Sequence, residues 1–470
     1  MKLSVLYGII MLALTMKTPL ITMMDMKQWS PAEVYENMII VDSHIDTLMK
    51  VVDDDTGMPA VDIGGETDFE VDIPKLKDGG LHVPFMAAFT SGHHDNHAKN
   101  ISDTLASIHA LYWTKKNNRE TFSVTSTLDD IWRAIQDGKV AAVPAIEGAY
   151  SLAGAHAAEL LHQYHDLGIT TIGFTWNYSN ELGEGANRVY NDGMNTPSSG
   201  GLTDLGETIV KEMNRLGMVI DVSHMDERTF WDVLDVSKKP VIATHSGVNA
   251  LHSHPRNLND KQLQSLAENG GAIGIVFYPE FLTDSGKAAV SDIVDHIDHA
   301  VEVMGADHVA IGSDFDGAAL PADMQNAADL PKIAAELKSR GYSHIDIMKI
   351  MGGNTLSLLH EVQTGANPDS ISEASGIKIY PKMEMGDAVE SKTPMLRAEI
   401  ELADGTAINE NGLRVIIDGK IYEPDYDEDS SIMAFQPEEG LKEKFHVVTF
   451  EAASESGEKK RETRIFHIEE

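Results

Sequence analysis

Between Met38 and about Glu361, short apolar runs alternate with longer stretches in which apolar residues recur every three or four positions. Eight of the runs predict strands: Met38–Asp42, Val83–Phe89, Val140–Ile146, Thr170–Thr175, Met218–Val222, Pro240–Thr244, Ala272–Phe277 and His308–Gly312. Val, Ile, Ala and Leu dominate them, as parallel strands buried on both faces require. Helical patterns fill most of the gaps, among them Leu205–Leu216, Asp226–Val236 and Asp260–Glu268. Eight such units predict an α/β chain whose residues 30–364 form a (β/α)8 TIM-type barrel. A doubly wound open sheet has the same periodicity and is the alternative.

From about Ile377 the pattern changes to short alternating runs. Leu396–Leu402 alternates with period two, and Leu413–Ile417, Phe445–Phe450 and Arg464–Ile468 are similar, with turn signals at Asp404-Gly405 and Asp418-Gly419. Residues 377–470 therefore read as an all-β, sandwich-like domain. The Gly365 to Gly376 stretch, rich in Ser and Gly, reads as the linker.

At the other end, Lys2 precedes an uncharged apolar run from Leu3 to Met16. A membrane span needs about 20 such residues, so residues 1–25 read as a signal peptide and the protein as exported, with no stable membrane span. Thr18-Pro19-Leu20 makes a poor cleavage site, and a cytoplasmic protein with an uncleaved start is the other reading.

Composition narrows the chemistry. The chain has 74 acidic and 37 basic residues, a net charge of −37 over 470 residues, which would repel a phosphate backbone and argues against nucleic-acid binding. It has no cysteine, so disulfides, thiolate-bound zinc and thiol nucleophiles are all excluded. A metal would have to sit on His, Asp and Glu.

Those residue types fall at strand ends. His44 and Asp46 follow the first predicted strand, Glu147 the third, His224 the fifth and His245 the sixth, while Asp314 and Asp316 follow the eighth. One such residue is usually a cap or a satisfied polar group. Several at the same end of successive strands favour the barrel, where all strand C-termini meet on one face. Imidazole and carboxylate donors suit Zn²⁺, with Mn²⁺ or Fe²⁺ as alternatives. Three histidines, an Asp and a Glu are too many for one tetrahedral ion with an open position. They fit two ions about 3.5–4 Å apart, bridged by Glu147 and by a hydroxide that serves as nucleophile. A free Asp on the eighth strand would carry the proton to a leaving nitrogen. The predicted reaction is metal-assisted hydrolysis of an amide or related bond.

Val41-Asp-Ser-His-Ile-Asp46, Ala145-Ile-Glu-Gly148, Val219-Ile-Asp-Val-Ser-His224, Ile242-Ala-Thr-His-Ser246, His254-Pro-Arg-Asn257, Gly312-Ser-Asp-Phe-Asp-Gly317 and Gly352-Gly-Asn-Thr355 together resemble the membrane (renal) dipeptidase family of zinc enzymes. The resemblance runs from about Met38 to Glu361 and implies two zinc ions, one on His44 and Asp46, the other on His224 and His245, with Glu147 shared. It implies that Arg256 grips the C-terminal carboxylate of a dipeptide, a role suited to a guanidinium fork. Asp314 would handle the substrate amine and the transferred proton, with Asp316 as second choice. Where mammalian members carry a histidine after the fourth strand, this chain has Thr175-Trp176-Asn177, so Trp176 or Asn177 would supply that substrate contact, or Trp176 would only wall the pocket. The resemblance further implies tolerance of a C-terminal D-residue and a homodimer.

The nearest alternative is a related amidohydrolase acting on N-acyl amino acids, cyclic amides or lactones; a non-catalytic binding protein is the alternative from another class. Gly183-Glu-Gly185 and Pro197–Gly201 read as a mobile active-site loop. His93, His94 and the Asp425–Asp429 run read as solvated loops rather than metal sites.

Overall fold

The computed structural model describes residues 38–92, 96–186, 200–366 and 376–469. Nine strands make up the first sheet: β1 (Ile40–Ile45), β2 (Leu81–Phe89), β3 (Phe122–Val124), β4 (Val140–Glu147), β5 (Thr171–Gly173), β6 (Val219–Asp221), β7 (Ile242–Ser246), β8 (Ala272–Ile275) and β9 (Val309–Ile311). Eight run parallel in the order β1-β2-β4-β5-β6-β7-β8-β9. A parallel bridge between Ile45 and Phe315, with Asp46 N donating to Phe315 O at 2.9 Å, joins the two ends. The sheet is therefore a (β/α)8 barrel and not an open doubly wound sheet. All eight predicted strands are present. β3 pairs with β4 outside the ring, and its three residues are too short a run to stand out in the sequence.

The helices begin where the sequence supplies caps. Thr203 accepts from Gly206 N at the start of the Asp204–Leu216 helix, and Gly217, at φ 78°, ends it in the left-handed conformation that glycine adopts freely. Asn259 and Gln262 form a reciprocal capping box at Asp260–Glu268. No helix among the described residues is long and apolar enough to cross a membrane; the Leu3 to Met16 run, His93 and His94 lie outside those residues.

The C-terminal region consists of two sheets packed face to face. One contains β10 (Ile377–Pro381), β12 (Leu396–Leu402), β15 (Asp425–Asp427) and β16 (Ile432–Phe435). The other contains β11 (Asp387–Val389), β13 (Ile408–Ile417), β14 (Lys420–Tyr422), β17 (Phe445–Ser454) and β18 (Lys459–Ile468). Ile379, Leu396 and Ile400 from the first meet Val415, Val448, Phe450 and Phe466 from the second. The acidic Asp425–Asp429 run forms an edge strand and a turn in which Asp427 accepts from the Asp429 and Ser430 amides.

The second sheet is buried on its other face too, against the barrel. Phe445, Val447 and Ile465 join the barrel's apolar cluster, and all ten residues of β17 are buried. Gln163, on the helix Ala157–Asp166, donates to Ile416 O at 3.1 Å and to Thr449 Oγ1 at 3.0 Å, and accepts from Gly419 N at 2.6 Å. Arg461 pairs with Glu159 and Asp166 across the same boundary, both at 2.9 Å. A chain ending at Gly376 would expose three large apolar contacts at about 1.5–3 kcal/mol each and leave Asp166 and Gln163 without these partners. Since a domain has only about 5–15 kcal/mol in hand, truncation is expected to yield insoluble or non-cooperatively melting protein, checked by expression and calorimetry. A soluble barrel melting as the full chain does would show the contact to be dispensable.

Candidate metal centre

Ring closure brings the site together. Joining Ile45 to Phe315 sets His44 and Asp46 beside Asp314, and β4, β6 and β7 deliver Glu147, His224 and His245 to the same rim. His44 and His245 lie within strands β1 and β7, and Glu147 is the last residue of β4. Three sets have their ligand atoms within 4.8 Å of one another: His44 with Asp46 and Glu147, Glu147 with His224 and His245, and His44 with His245 and Asp314.

Glu147 sits between the two halves. Its Oε2 lies 3.4 Å from His44 Nε2, while its Oε1 lies 2.9 Å from His224 Nε2 and 3.5 Å from His245 Nε2. Asp46 Oδ2 is 3.6 Å from His44 Nε2. Across the other half, His224 Nε2 and His245 Nε2 are 2.9 Å apart. His224 Nδ1 faces Asn177 Oδ1 at 2.9 Å, an acceptor, so Nδ1 carries the proton and Nε2 a lone pair. Lone pairs and a carboxylate oxygen thus converge on one point, an arrangement suited to a cation. His44 Nε2 and Asp46 Oδ1 are buried without a hydrogen-bond partner among the described residues, as donors reserved for a metal would be.

The buried groups shift one another in opposite directions. Burial opposes charge on Glu147, but His44 and the neighbouring His224 and His245 rings hold its carboxyl well below the usual range. Burial and the Arg256 guanidinium push His224 down to about 3. Burial and His44 likewise push His245 well below the ordinary imidazole value. Burial also works against a charged His44, yet Glu147 and Asp46 raise it well above that value. Asp314 goes the other way: burial and the charges of Asp46 and Glu147 raise its carboxyl well above the usual range, and it shares a hydrogen bond with Asp46.

Three of the site residues hold unusual backbone. His224, Asp314 and Asp316 have φ of 62°, 65° and 66°, a region in which non-glycine residues cost of order 1–3 kcal/mol and persist only when their surroundings fix them. His224 O is held by Thr175 Oγ1 at 3.2 Å and by Ala186 N at 2.7 Å, and Asp314 N donates to His44 O at 3.1 Å. A Cβ on Gly317 would sit 2.1 Å from Asp46 Oδ2 and 2.9 Å from Asp314 Oδ1, so only glycine lets the turn pass these carboxylates.

The remaining predicted residues surround this cluster at varying distances. Arg256 is buried, its Nη2 donating to His245 O at 3.0 Å, with its guanidinium 5.4 Å from the Phe281 ring. With His224, Glu184 and His254 it lines a cavity of about 220 Å³. Asn257 staples this loop by donating to His252 O and Phe281 O and accepting from Gly247 N. Trp176 stands partly exposed against Phe89, Tyr178 and the face of His224, at centroid distances of 5.4, 5.6 and 6.0 Å. Asn177 lies behind His224, its amide oxygen turned to that ring. Asp316 is turned away from the cluster: its oxygens accept from Thr47 Oγ1 at 2.7 Å and Glu70 N at 2.8 Å. Gly183–Gly185 backs His224 through a bridge between Gly185 and Met225, whereas 197–199 lie outside the described residues. Thr244, which contacts His245 and His44 from behind, and Asp221, which holds Thr244, do not stand out in the sequence; their signal is position beside His245 and within the Val219–His224 motif.

A parallel barrel with imidazoles and carboxylates gathered on its C-terminal rim is the architecture of a metal-dependent hydrolase. Residues 30–373 match the membrane dipeptidase family, peptidase family M19, and the chain belongs to that family. It is 33% identical over 378 residues to dipeptidase tcpJ of Claviceps purpurea, covering 74% of this chain and 85% of that protein. The solved structure of the metallopeptidase dipeptidase AC superposes with a TM-score of 0.63 at 28% identity, covering 69% of this chain and 99% of that one. A metallopeptidase from Rhodobacter sphaeroides, bound to a phosphinate mimic of L-Ala-D-Ala, gives 0.61 at 27%, with 69% and 99% covered.

Proposed function

We propose that the protein is a two-zinc dipeptidase that accepts dipeptides with a C-terminal D- or L-residue. The observation that carries this reading is Glu147, whose two oxygens face different histidine sets. In it, His44 and Asp46 would hold one ion and His224 and His245 the other, with Glu147 shared. When bound, the ions supply a water of lowered pKa and positive charge for the scissile carbonyl oxygen.

The chain supplies the rest. Arg256 projects into the cavity beside His224 and offers its fork to the substrate carboxylate, which fixes the peptide at one end. Trp176 and Phe89 pack together beside His224 and shield that side from solvent. Asp314, whose carboxyl burial and the Asp46 and Glu147 charges raise well above the usual range, is the group that would carry a proton to the leaving amine. The phosphinate mimic of L-Ala-D-Ala bound by the Rhodobacter sphaeroides relative supports a D-residue at the second position.

The test is a panel of X-L-Ala and X-D-Ala dipeptides alongside N-acyl amino acids, with metal-free protein reloaded with zinc. Turnover of dipeptides that vanishes with chelator and returns with about two zinc per chain is expected. Turnover confined to N-acyl amino acids would transfer the protein to the amidohydrolase alternative, and no metal-dependent turnover would overturn both.

A further inference from the structure

Behind the metal-facing atoms lies a buried polar chain that the proposed reaction leaves unused. Thr244 precedes His245 on β7 and is buried. Its Oγ1 donates to Asp221 Oδ2 at 2.6 Å. Asp221, also buried at the end of β6, is held rigidly: its Oδ1 accepts from Ser223 N at 2.8 Å and Thr244 N at 3.0 Å. With its proton committed, the hydroxyl has only lone pairs to offer, and two imidazole nitrogens face them. His245 Nδ1 is 2.9 Å away, and His44 Nδ1 is 3.4 Å away.

We infer that the Asp221–Thr244 pair is a positioning device that sets the tautomers of His245 and His44 together, so that both present Nε2 lone pairs to the metal centre. The inference rests on the two-metal reading of the site. One hydroxyl acts on one ligand from each proposed ion site, through rings packed 3.8 Å apart. The opposite tautomer of His245 would put a proton on Nε2, toward His224 and Glu147, and turn its Nδ1 lone pair against that of the hydroxyl. Asn177 does for His224 what Thr244 does for His245. Outer partners of this kind typically contribute about 10–100-fold in metal affinity. The His245 site is expected to lose more than the His44 site, because its contact is shorter.

The experiment is zinc titration of metal-free protein against a chromophoric chelator, with melting of the metal-free protein in parallel. Thr244→Val keeps the shape and removes the hydroxyl; it is expected to weaken zinc binding about 10–100-fold, while Thr244→Ser restores it to near the wild-type value. If the valine variant does not fold, Asp221→Asn decides, because its amide can donate to Thr244 and release the hydroxyl proton toward the rings; it too should weaken binding. Zinc affinity unchanged in the folded variant, or lowered equally by the serine variant, would overturn the relay and leave the dipeptidase reading standing. Wild-type protein that binds no zinc would overturn both.

Discussion

Glu147→Gln is expected to remove nearly all hydrolysis and to lower bound zinc from about two ions per chain to less than one. The residue belongs to two of the three candidate ligand sets, so a single amide substitution removes one negative charge from both. Loss of a group on which the whole centre depends costs on the order of 10⁴-fold or more in kcat. The amide keeps the volume, and its nitrogen would place protons either toward His44 at 3.4 Å or toward His224 and His245 at 2.9 and 3.5 Å. Elemental analysis with per-chain stoichiometry, alongside kcat on the best dipeptide, reads both effects. A variant that keeps two zinc ions and its activity would show that Glu147 does not bridge, and the shared-ligand role proposed for it would fail there.

That such a residue could be picked out in advance is a consequence of barrel geometry. Val140–Ile146 and Ile242–Thr244 are buried on both faces, so they read as parallel strands, and parallel strands deliver the residues at their C-terminal ends to a common rim. The legible part was therefore the set of ligand-type residues at strand ends. Contacts made across the barrel by residues with other readings were not. Thr244 looks like a β-branched core residue of a strand, and only the three-dimensional position of Asp221 shows that its hydroxyl has a direction. Asp316 stands two residues from Asp314 with the same residue type and nearly the same backbone conformation, yet its partner Glu70 is 246 positions away. Gln163 and Arg461 carry no signal in the sequence, because the barrel helix and the C-terminal sheet they join are far apart along the chain. Edge strands such as Asp387–Val389 are too short and too exposed to leave a pattern.

Asp314→Asn is expected to lower kcat about 10²–10⁴-fold, with KM and zinc content close to those of the wild type. Asparagine is the informative replacement because it tolerates the left-handed conformation that Asp314 adopts at φ 65°, so the turn through Gly317 should survive. What it cannot do is hold and release a proton. Asp314 is fitted for that by its surroundings: burial and the neighbouring Asp46 and Glu147 charges keep its carboxyl protonated to higher pH than usual. Asp316→Asn supplies the contrast, since both Asp316 oxygens are taken up by Thr47 and Glu70. It should cost about 1–3 kcal/mol of stability with little change in kcat. Steady-state kinetics, zinc analysis and melting on the two variants separate the roles. If Asp314→Asn loses zinc in proportion to activity, Asp314 is a ligand alongside His44 and His245, and the proton must be carried by another group.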